Sequence, residues 1–256
     1  MITDTHTHLY VEEFDKDRAE VVARGLSAGI TRHFLPSIDS TYTQAMIALE
    51  SKYPDHIYLM MGLHPTYVKP DTVVTELNHV RGMLAKRSFK AIGEIGIDLY
   101  WDKSTLELQR QAFAEQIKLA KQYNLPIVIH CREAFSEIFD VLEEENHPQL
   151  RGIFHCFTGD LAQAKRAISY NMKLGIGGVV TFKNGGIDKF LNQIPLRHLV
   201  LETDAPYLAP VPYRGKRNES VYLSEVIDKL ALIFDLPKEE IIEQTTKNAS
   251  EIFNCL

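Results

Sequence analysis

Short apolar runs alternate with amphipathic stretches from one end of the chain to the other. The runs begin near Ile2 (ITDTHTH), Thr31 (TRHFLP), Ile57 (IYLMMGLHP), Lys90 (KAIGEIG), Pro126 (PIVIHC), Arg151 (RGIFHCF), Asn171 (NMKLGIGG) and Leu199 (LVLETDAP). Each has the length of a strand. Several, such as Ile127-Val128-Ile129, are β-branched and apolar throughout, as parallel strands covered by helices are. Their starts recur about every 28 residues, the spacing of one strand plus one crossover helix.

The stretches between them carry helix signatures. Ala19–Leu26 and Thr43–Leu49 read as helices. Ser104-Thr105-Leu106-Glu107 has the spacing of a capping box. Behind it Leu108, Phe113, Ile117 and Ala120 form a helical stripe up to a stop at Asn124-Leu125-Pro126. Two more helical segments, about Ser220–Phe234 and Pro237–Phe253, follow the last strand. Eight βα units with no linker, low-complexity tract or composition break predict an α/β fold, a (β/α)8 TIM barrel. It would span residues 1–256 as a single domain with an extra C-terminal helix. A doubly wound open sheet is the alternative. That fold usually shows a glycine-rich phosphate turn after the first strand, where this chain has His6-Thr7-His8.

Composition narrows the function classes. The chain has 256 residues, 45% hydrophobic and 24% charged, which is ordinary globular usage and excludes a disordered, collagen-like or coiled-coil chain. No apolar run approaches the ~18–20 residues of a membrane span, and the first residues lack the basic and apolar regions of a signal peptide. Cys131, Cys156 and Cys255 are an odd number for a disulfide framework, so a cytoplasmic protein with reduced thiols is expected. With 28 basic and 34 acidic residues the net charge is −6. That argues against broad wrapping of nucleic acid but leaves room for a local basic rim.

The chemistry-bearing residues gather at predicted strand ends. His6 and His8 share a face by the i, i+2 rule at the end of strand one. Glu94 lies between glycines inside apolar strand four, where a carboxylate needs a partner or a cation. His130 ends strand five, His155 lies near the end of strand six, and Asp204 ends strand eight. Singly, Glu94 is more often a salt-bridged glutamate and His130 or His155 a hydrogen-bonded core histidine, and a helix N-cap accounts for Asp204. Jointly, they put six potential ligands at the C-terminal ends of five strands, which converge on one face of a barrel. Four histidines and two carboxylates exceed the needs of one tetrahedral ion and suit two, with Glu94 as the bridge. Cys131 and Cys156 each follow a proposed ligand, so strand alternation is expected to turn them away as small buried apolar residues.

Over essentially its whole length the chain resembles the TatD-type metal-dependent deoxyribonuclease family of the amidohydrolase-like superfamily. The matching stretches are Asp4-Thr5-His6-Thr7-His8, Gly62-Leu63-His64-Pro65, Gly93-Glu94-Ile95-Gly96-Ile97-Asp98, His130-Cys131-Arg132, His155-Cys156-Phe157-Thr158-Gly159 and Glu202-Thr203-Asp204-Ala205-Pro206. Arg214-Gly215-Lys216-Arg217-Asn218-Glu219 and Thr246-Lys247-Asn248 also fit. The resemblance implies two divalent ions (Zn, Mn or Mg), one held by His6, His8, Glu94 and Asp204, the other by Glu94, His130 and His155. Where the wider superfamily often has a modified lysine on strand four, this chain has Glu94, which favours the TatD-type branch.

Three readings of function follow. The first is hydrolysis of DNA phosphodiesters, at single-stranded ends, with Asp204 orienting and deprotonating the water and Glu94 and His64 lining the reacting centre. Arg132, Lys183, Arg214, Lys216 and Arg217 would form a positive rim for phosphates. The alternative for Arg132 is an ion pair with Glu202, itself expected to support a basic group. Tyr100, Trp101, Phe157 and Tyr207 are candidates for base stacking. The second reading keeps the centre but changes the bond to an amide or ester, including aminoacyl-tRNA esters. The third is a barrel that has lost activity and serves as a binding protein, against which the complete ligand set argues.

Overall fold

The computed structural model describes residues 1–255. All eight predicted strands are present and parallel: β1 (Ile2–Asp4), β2 (Ile30–Leu35), β3 (Ile57–Leu59), β4 (Ile92–Asp98), β5 (Ile127–Arg132), β6 (Gly152–Phe154), β7 (Met172–Ile176) and β8 (Leu199–Leu201). They pair in chain order as β1–β2–β3 and β4–β5–β6–β7–β8. Two seams join these groups. At the first, Met61 bridges to Ile92, and the Gly93 N–H donates to the Met61 carbonyl at 3.0 Å. At the second, Thr7 bridges to Ala205, and the Thr5 N–H donates to the Leu201 carbonyl at 2.9 Å. The sheet therefore closes into the expected (β/α)8 barrel.

Helices α1 (Arg18–Ser27), α2 (Thr43–Lys52), α3 (Val73–Lys86), α4 (Leu106–Tyr123), α5 (Phe135–Glu144) and α6 (Leu161–Ser169) follow the first six strands. The seventh crossover departs from expectation. Between β7 and β8 the chain makes only short 3-10 turns. Gly177, Gly178, Gly185, Gly186 and Pro195 lie in that stretch, and both residue types oppose a continuous α-helix. Two helices after β8 complete the outer layer, α7 (Leu223–Phe234) and α8 (Lys238–Phe253). α7 packs on the turn at Gly178–Thr181, and α8 packs on β8 and β1. The helix expected as an addition is thus part of the ring.

Strand alternation sorts the core. Ile127 and Ile129 face the helical layer, whereas Val128 faces the barrel interior with Phe34, Met60, Ala91, Ile153 and Val200. Ile252 and Phe253 of α8 join that inner cluster, and Phe253 stacks on Phe34 with ring centroids 3.8 Å apart. One end of the barrel is therefore sealed by apolar packing. His130, His155 and Glu202 follow Val128, Ile153 and Val200 by two residues, so they continue the inward face toward the other end. On β4, Ile92 and Ile95 both face outward and the pairing register slips between them, leaving Glu94 free to point inward. Gly96, at φ 139°, lets β4 press against β5, since a Cβ there would strike the His130 carbonyl.

Local signals held in one case and failed in another. Asn124 ends α4 in a left-handed conformation, φ 52°, as the predicted stop requires. The capping box at Ser104 does not form. Its hydroxyl donates to Asp102 Oδ1 at 2.6 Å, and α4 starts at Leu106 without a side-chain cap. A capping box is found at Asp160 and Gln163 of α6.

His33 on β2 is fully buried against Gly25 of α1, and neither ring nitrogen has a hydrogen-bond partner. Burial lowers its pKa from 6.5 to about 4. The folded chain keeps this ring neutral where the unfolded chain protonates it. Its stabilising contribution is complete above pH 6.5 and lost as pH falls toward 4, amounting to about 3 kcal/mol. Urea unfolding in EDTA buffer at pH 7 and pH 4 should therefore show a smaller acid loss in His33→Leu, by about that amount. An equal loss in both proteins would assign the acid sensitivity elsewhere.

Candidate metal centre

Closure of the barrel brings the His-x-His pair to Asp204. The Asp204 N–H donates to the His6 carbonyl at 2.9 Å, and the His8 N–H donates to the Ala205 carbonyl at 2.8 Å. These seam bonds place His6 Nε2, His8 Nε2, Asp204 Oδ1 and Glu94 Oε2 around one point. The separations are 3.3 Å for His6–His8, 3.1 Å for His6–Glu94 and 3.6 Å for His8–Glu94. Asp204 Oδ1 lies 3.7 Å from His6 and 3.5 Å from His8. A tetrahedral shell with bonds of about 2.0–2.1 Å has donor–donor edges of about 3.4 Å, so this set has the dimensions of a coordination shell.

The second oxygen of Glu94 faces a different set. Oε1 lies 2.7 Å from His130 Nδ1, 3.0 Å from His155 Nε2 and 3.2 Å from His64 Nε2. Glu94 is nearly fully buried. Burial pushes its carboxyl up, but His155, His64 and His6 outweigh this and hold it well below the usual carboxylate range. His155 answers in the opposite sense: burial lowers it, while Glu94 and Glu202 raise it well above an ordinary histidine. Burial and the neighbouring His155 lower His6, which keeps that ring in the neutral form that ligates metals.

Partners behind the centre set the proton positions. The Tyr10 hydroxyl donates to the Pro36 carbonyl at 2.6 Å, so it accepts from His8 Nδ1 at 2.9 Å, and His8 Nε2 presents a lone pair. His130 stands between two carboxylates, with Nε2 2.8 Å from Asp98 Oδ2 and Nδ1 2.7 Å from Glu94 Oε1; burial lowers its pKa, but these two acceptors outweigh that and raise it. His64 differs. Its Nδ1 accepts from the Thr66 N–H at 3.2 Å, which puts the proton of the neutral ring on Nε2, facing Glu94. With Glu94 and His130, His64 also forms a group whose donor atoms all lie within 4.8 Å of one another. Glu202 accepts from the Cys156 N–H and lies 3.3 Å from His155 Nδ1. Gly175 makes room for it, because a Cβ there would strike the Glu202 carboxylate. Asp98 and Tyr10 carried no expected role; both are buried polar residues that only spatial proximity identifies.

His8, Glu94, His130, His155 and Asp204 line a cavity of about 630 Å³ at the open end of the barrel, and His6 lies fully buried behind it. Arg132 lines it too, but its expected partner Glu202 is engaged elsewhere, and the guanidinium stacks on the Tyr100 ring at 3.7 Å. Several expectations are corrected. Cys131 packs against the outer core as expected while also bordering the cavity, whereas half-buried Cys156 lines the cavity. Strand alternation does not govern Cys156, because β6 ends at Phe154 and Cys156 adopts φ 43°. Phe157 is buried against Phe135 and presents no face for stacking. Lys183, Arg214 and Lys216 are exposed but outside the cavity lining. Arg214 stacks on Phe182 at 3.8 Å, and Arg217 pairs with Asp17 at 2.6 Å and Glu219 at 3.0 Å.

Residues 3–254 match the family model described as TatD related DNase. The chain belongs to the TatD-related DNase family. It is 40% identical over 255 residues to the metal-dependent hydrolase YabD of Bacillus subtilis, covering 99% of both chains. It is 31% identical to a 3'-5' ssDNA/RNA exonuclease TatD of Pectobacterium carotovorum, covering 98% of both. The crystal structure of YjjV, a TatD homologue from Escherichia coli, superposes with a TM-score of 0.92 at 30% identity, over 100% of this chain and 98% of that one. This TatD-type chain is thus a metal-dependent hydrolase, and its histidine and carboxylate clusters have the donor chemistry for divalent cations. Among the described residues no helix is long and apolar enough to cross a membrane.

A cation bound only by the folded state adds stability by mass action. Thermal unfolding with Zn²⁺ or Mn²⁺ at about 100 times its dissociation constant should raise Tm by about 5–10 °C. Excess EDTA should reverse the shift, and Glu94→Gln should abolish it. An unchanged Tm in the wild-type protein would count against the centre.

Proposed function

We propose that this chain hydrolyses phosphodiester bonds of DNA at single-stranded ends, using two divalent ions, Zn, Mn or Mg, bridged by Glu94. One observation carries the reading: the two oxygens of a single buried carboxylate face two separate ligand sets. One ion would be held by His6, His8, Glu94 and Asp204, and the other by Glu94, His130 and His155. The whole chain acts as one catalytic unit. The Pectobacterium relative, a 3'-5' ssDNA/RNA exonuclease, supports the substrate class.

Ions bound there would supply charge neutralisation at the phosphoryl oxygens and acidify a water at neutral pH. The remaining work falls to side chains. Asp204 has one oxygen committed to His6 and His8; the other accepts the proton of the attacking water. Burial raises its pKa, but the surrounding histidines lower it by more, so the side chain is anionic at neutral pH. His64 donates from Nε2 to an oxygen of the scissile group, its tautomer held by Thr66. Arg132 binds the phosphate through its guanidinium fork. Lys183, Arg214 and Lys216 contact phosphates further along the strand. An uncharged amide would leave Arg132 without a partner, so the amide reading is not favoured.

Chelation should abolish oligonucleotide cleavage, with Mn²⁺, Mg²⁺ or Zn²⁺ restoring it. Asp204→Asn should remove nearly all turnover while leaving the circular dichroism spectrum unchanged. Cleavage indifferent to EDTA, or a fully active Asp204→Asn protein, would reject the mechanism. Arg132→Ala should lower kcat/KM for single-stranded oligonucleotides about 10- to 100-fold, the scale of one charge-assisted contact. Lys216→Ala should keep kcat and reduce the salt slope by about 0.7. Equal effects of the two substitutions would dissolve the distinction between cavity and outer cations.

A further inference from the structure

The metal centre is polar, yet the wall around its mouth is aromatic. Tyr67, Trp101, Tyr207 and Leu208 line the cavity with exposures of 42%, 70%, 48% and 36%. Large apolar side chains left this open at a cleft mark a surface that meets an apolar partner. Trp101 is the most exposed of these four.

Its position is held from the centre itself. Asp98 Oδ2 faces His130 Nε2, while Oδ1 of the same carboxylate accepts the N–H groups of Tyr100 at 3.0 Å and Trp101 at 3.2 Å. One buried carboxylate therefore ties a ligand histidine to the turn that carries the indole. The Tyr100 ring stands edge-on to Trp101, with centroids 4.9 Å apart at 88°. Arg132 covers Tyr100 at 3.7 Å and lies 5.6 Å from the indole centroid. With Tyr100 at right angles to it the indole stays largely open to solvent, and Arg132 supplies a cation within the same cavity.

We propose that Trp101 is a stacking platform for the base of the nucleotide that flanks the scissile phosphate, with Arg132 on the phosphate next to it. The proposal rests on the nuclease reading and deepens it. Recognition is by a flat π face and one phosphate, without hydrogen bonds to base edges. It is therefore tolerant of sequence and selective for unpaired bases, because a base stacked within a duplex offers no free face.

Trp101 is the only tryptophan in the chain, so its emission reports on the platform alone. Binding is followed with Asp204→Asn protein in Mg²⁺ and cleavage with wild-type protein. The probes are tetrathymidylate and a tetramer of the same backbone with every base removed. Tetrathymidylate should quench the indole emission to saturation and the base-free tetramer should not. Wild-type kcat/KM should be about 5- to 100-fold lower for the base-free tetramer, the scale of one stacked base. Trp101→Ala should bring the two substrates close to equality, mainly through KM. Trp101→Phe should keep most of the preference. A preference that survives in Trp101→Ala, or emission unmoved by saturating tetrathymidylate, overturns the platform while the nuclease reading stands. No cleavage of either tetramer by the metal-loaded wild-type protein overturns the nuclease reading, and the platform with it.

Discussion

A carboxylate buried at the axis of an apolar barrel is the constraint around which the rest is arranged. An isolated anion in that environment is strongly unfavourable, and Glu94 is nearly inaccessible to solvent. It is tolerated because five histidines surround it, each with a ring nitrogen within 3.6 Å of one of its oxygens. The two oxygens are not equivalent. Oε2 looks toward the seam where β1 meets β8, and Oε1 looks toward β5 and β6. That division sets two adjacent groups of histidines against one side chain. Packing of Phe34 against Phe253 seals the far end of the barrel, so the cluster opens to solvent on one side alone.

The histidines are useful because a further layer decides which nitrogen carries the proton. Tyr10 fixes His8 and the Thr66 backbone fixes His64, while His130 is held between Asp98 and Glu94. These partners give His8 a lone pair toward the first set and make His64 a donor. Chemically alike side chains thereby acquire different functions. Asp98 extends this layer outward, since its other oxygen holds the backbone of Tyr100 and Trp101. Geometry at the metal centre and geometry at the aromatic mouth are thus mechanically connected. Charge follows the same economy. Arg132 is the arginine in the cavity lining, while Arg217 is consumed in ion pairs with Asp17 and Glu219 that pin the loop after β8 to the start of α1.

Much of this was legible in the linear chain. Eight apolar runs at a regular spacing specify parallel strands, and the alternation rule carries directly from Val128 to His130 and from Ile153 to His155. Both steps are local physics: strand length, side-chain period and the aversion of apolar surface for water. Asn124 before Pro126 likewise specified the end of α4. Where local signals failed, a competing local partner or a backbone break explains it. Ser104 turned to Asp102 and left α4 uncapped. Glycines at positions 177, 178, 185 and 186 removed the seventh crossover helix. The left-handed backbone at Cys156 cancelled the alternation that would have turned it away from the cavity.

The sequence by itself determined the strand count, the inward face of β5 and β6, the identity of the six ligand candidates and the family. Only the tertiary structure decided which of them share an ion-sized space, because His6 and Asp204 are neighbours solely through closure of β1 onto β8. It also decided the proton positions on the rings, which depend on Tyr10, Thr66 and Asp98 approaching from other parts of the fold. The separation of cavity cations from surface cations was settled there as well. A guanidinium's role depends on whether a carboxylate, a ring face or open space lies within reach of it, and no spacing along a chain encodes that distance.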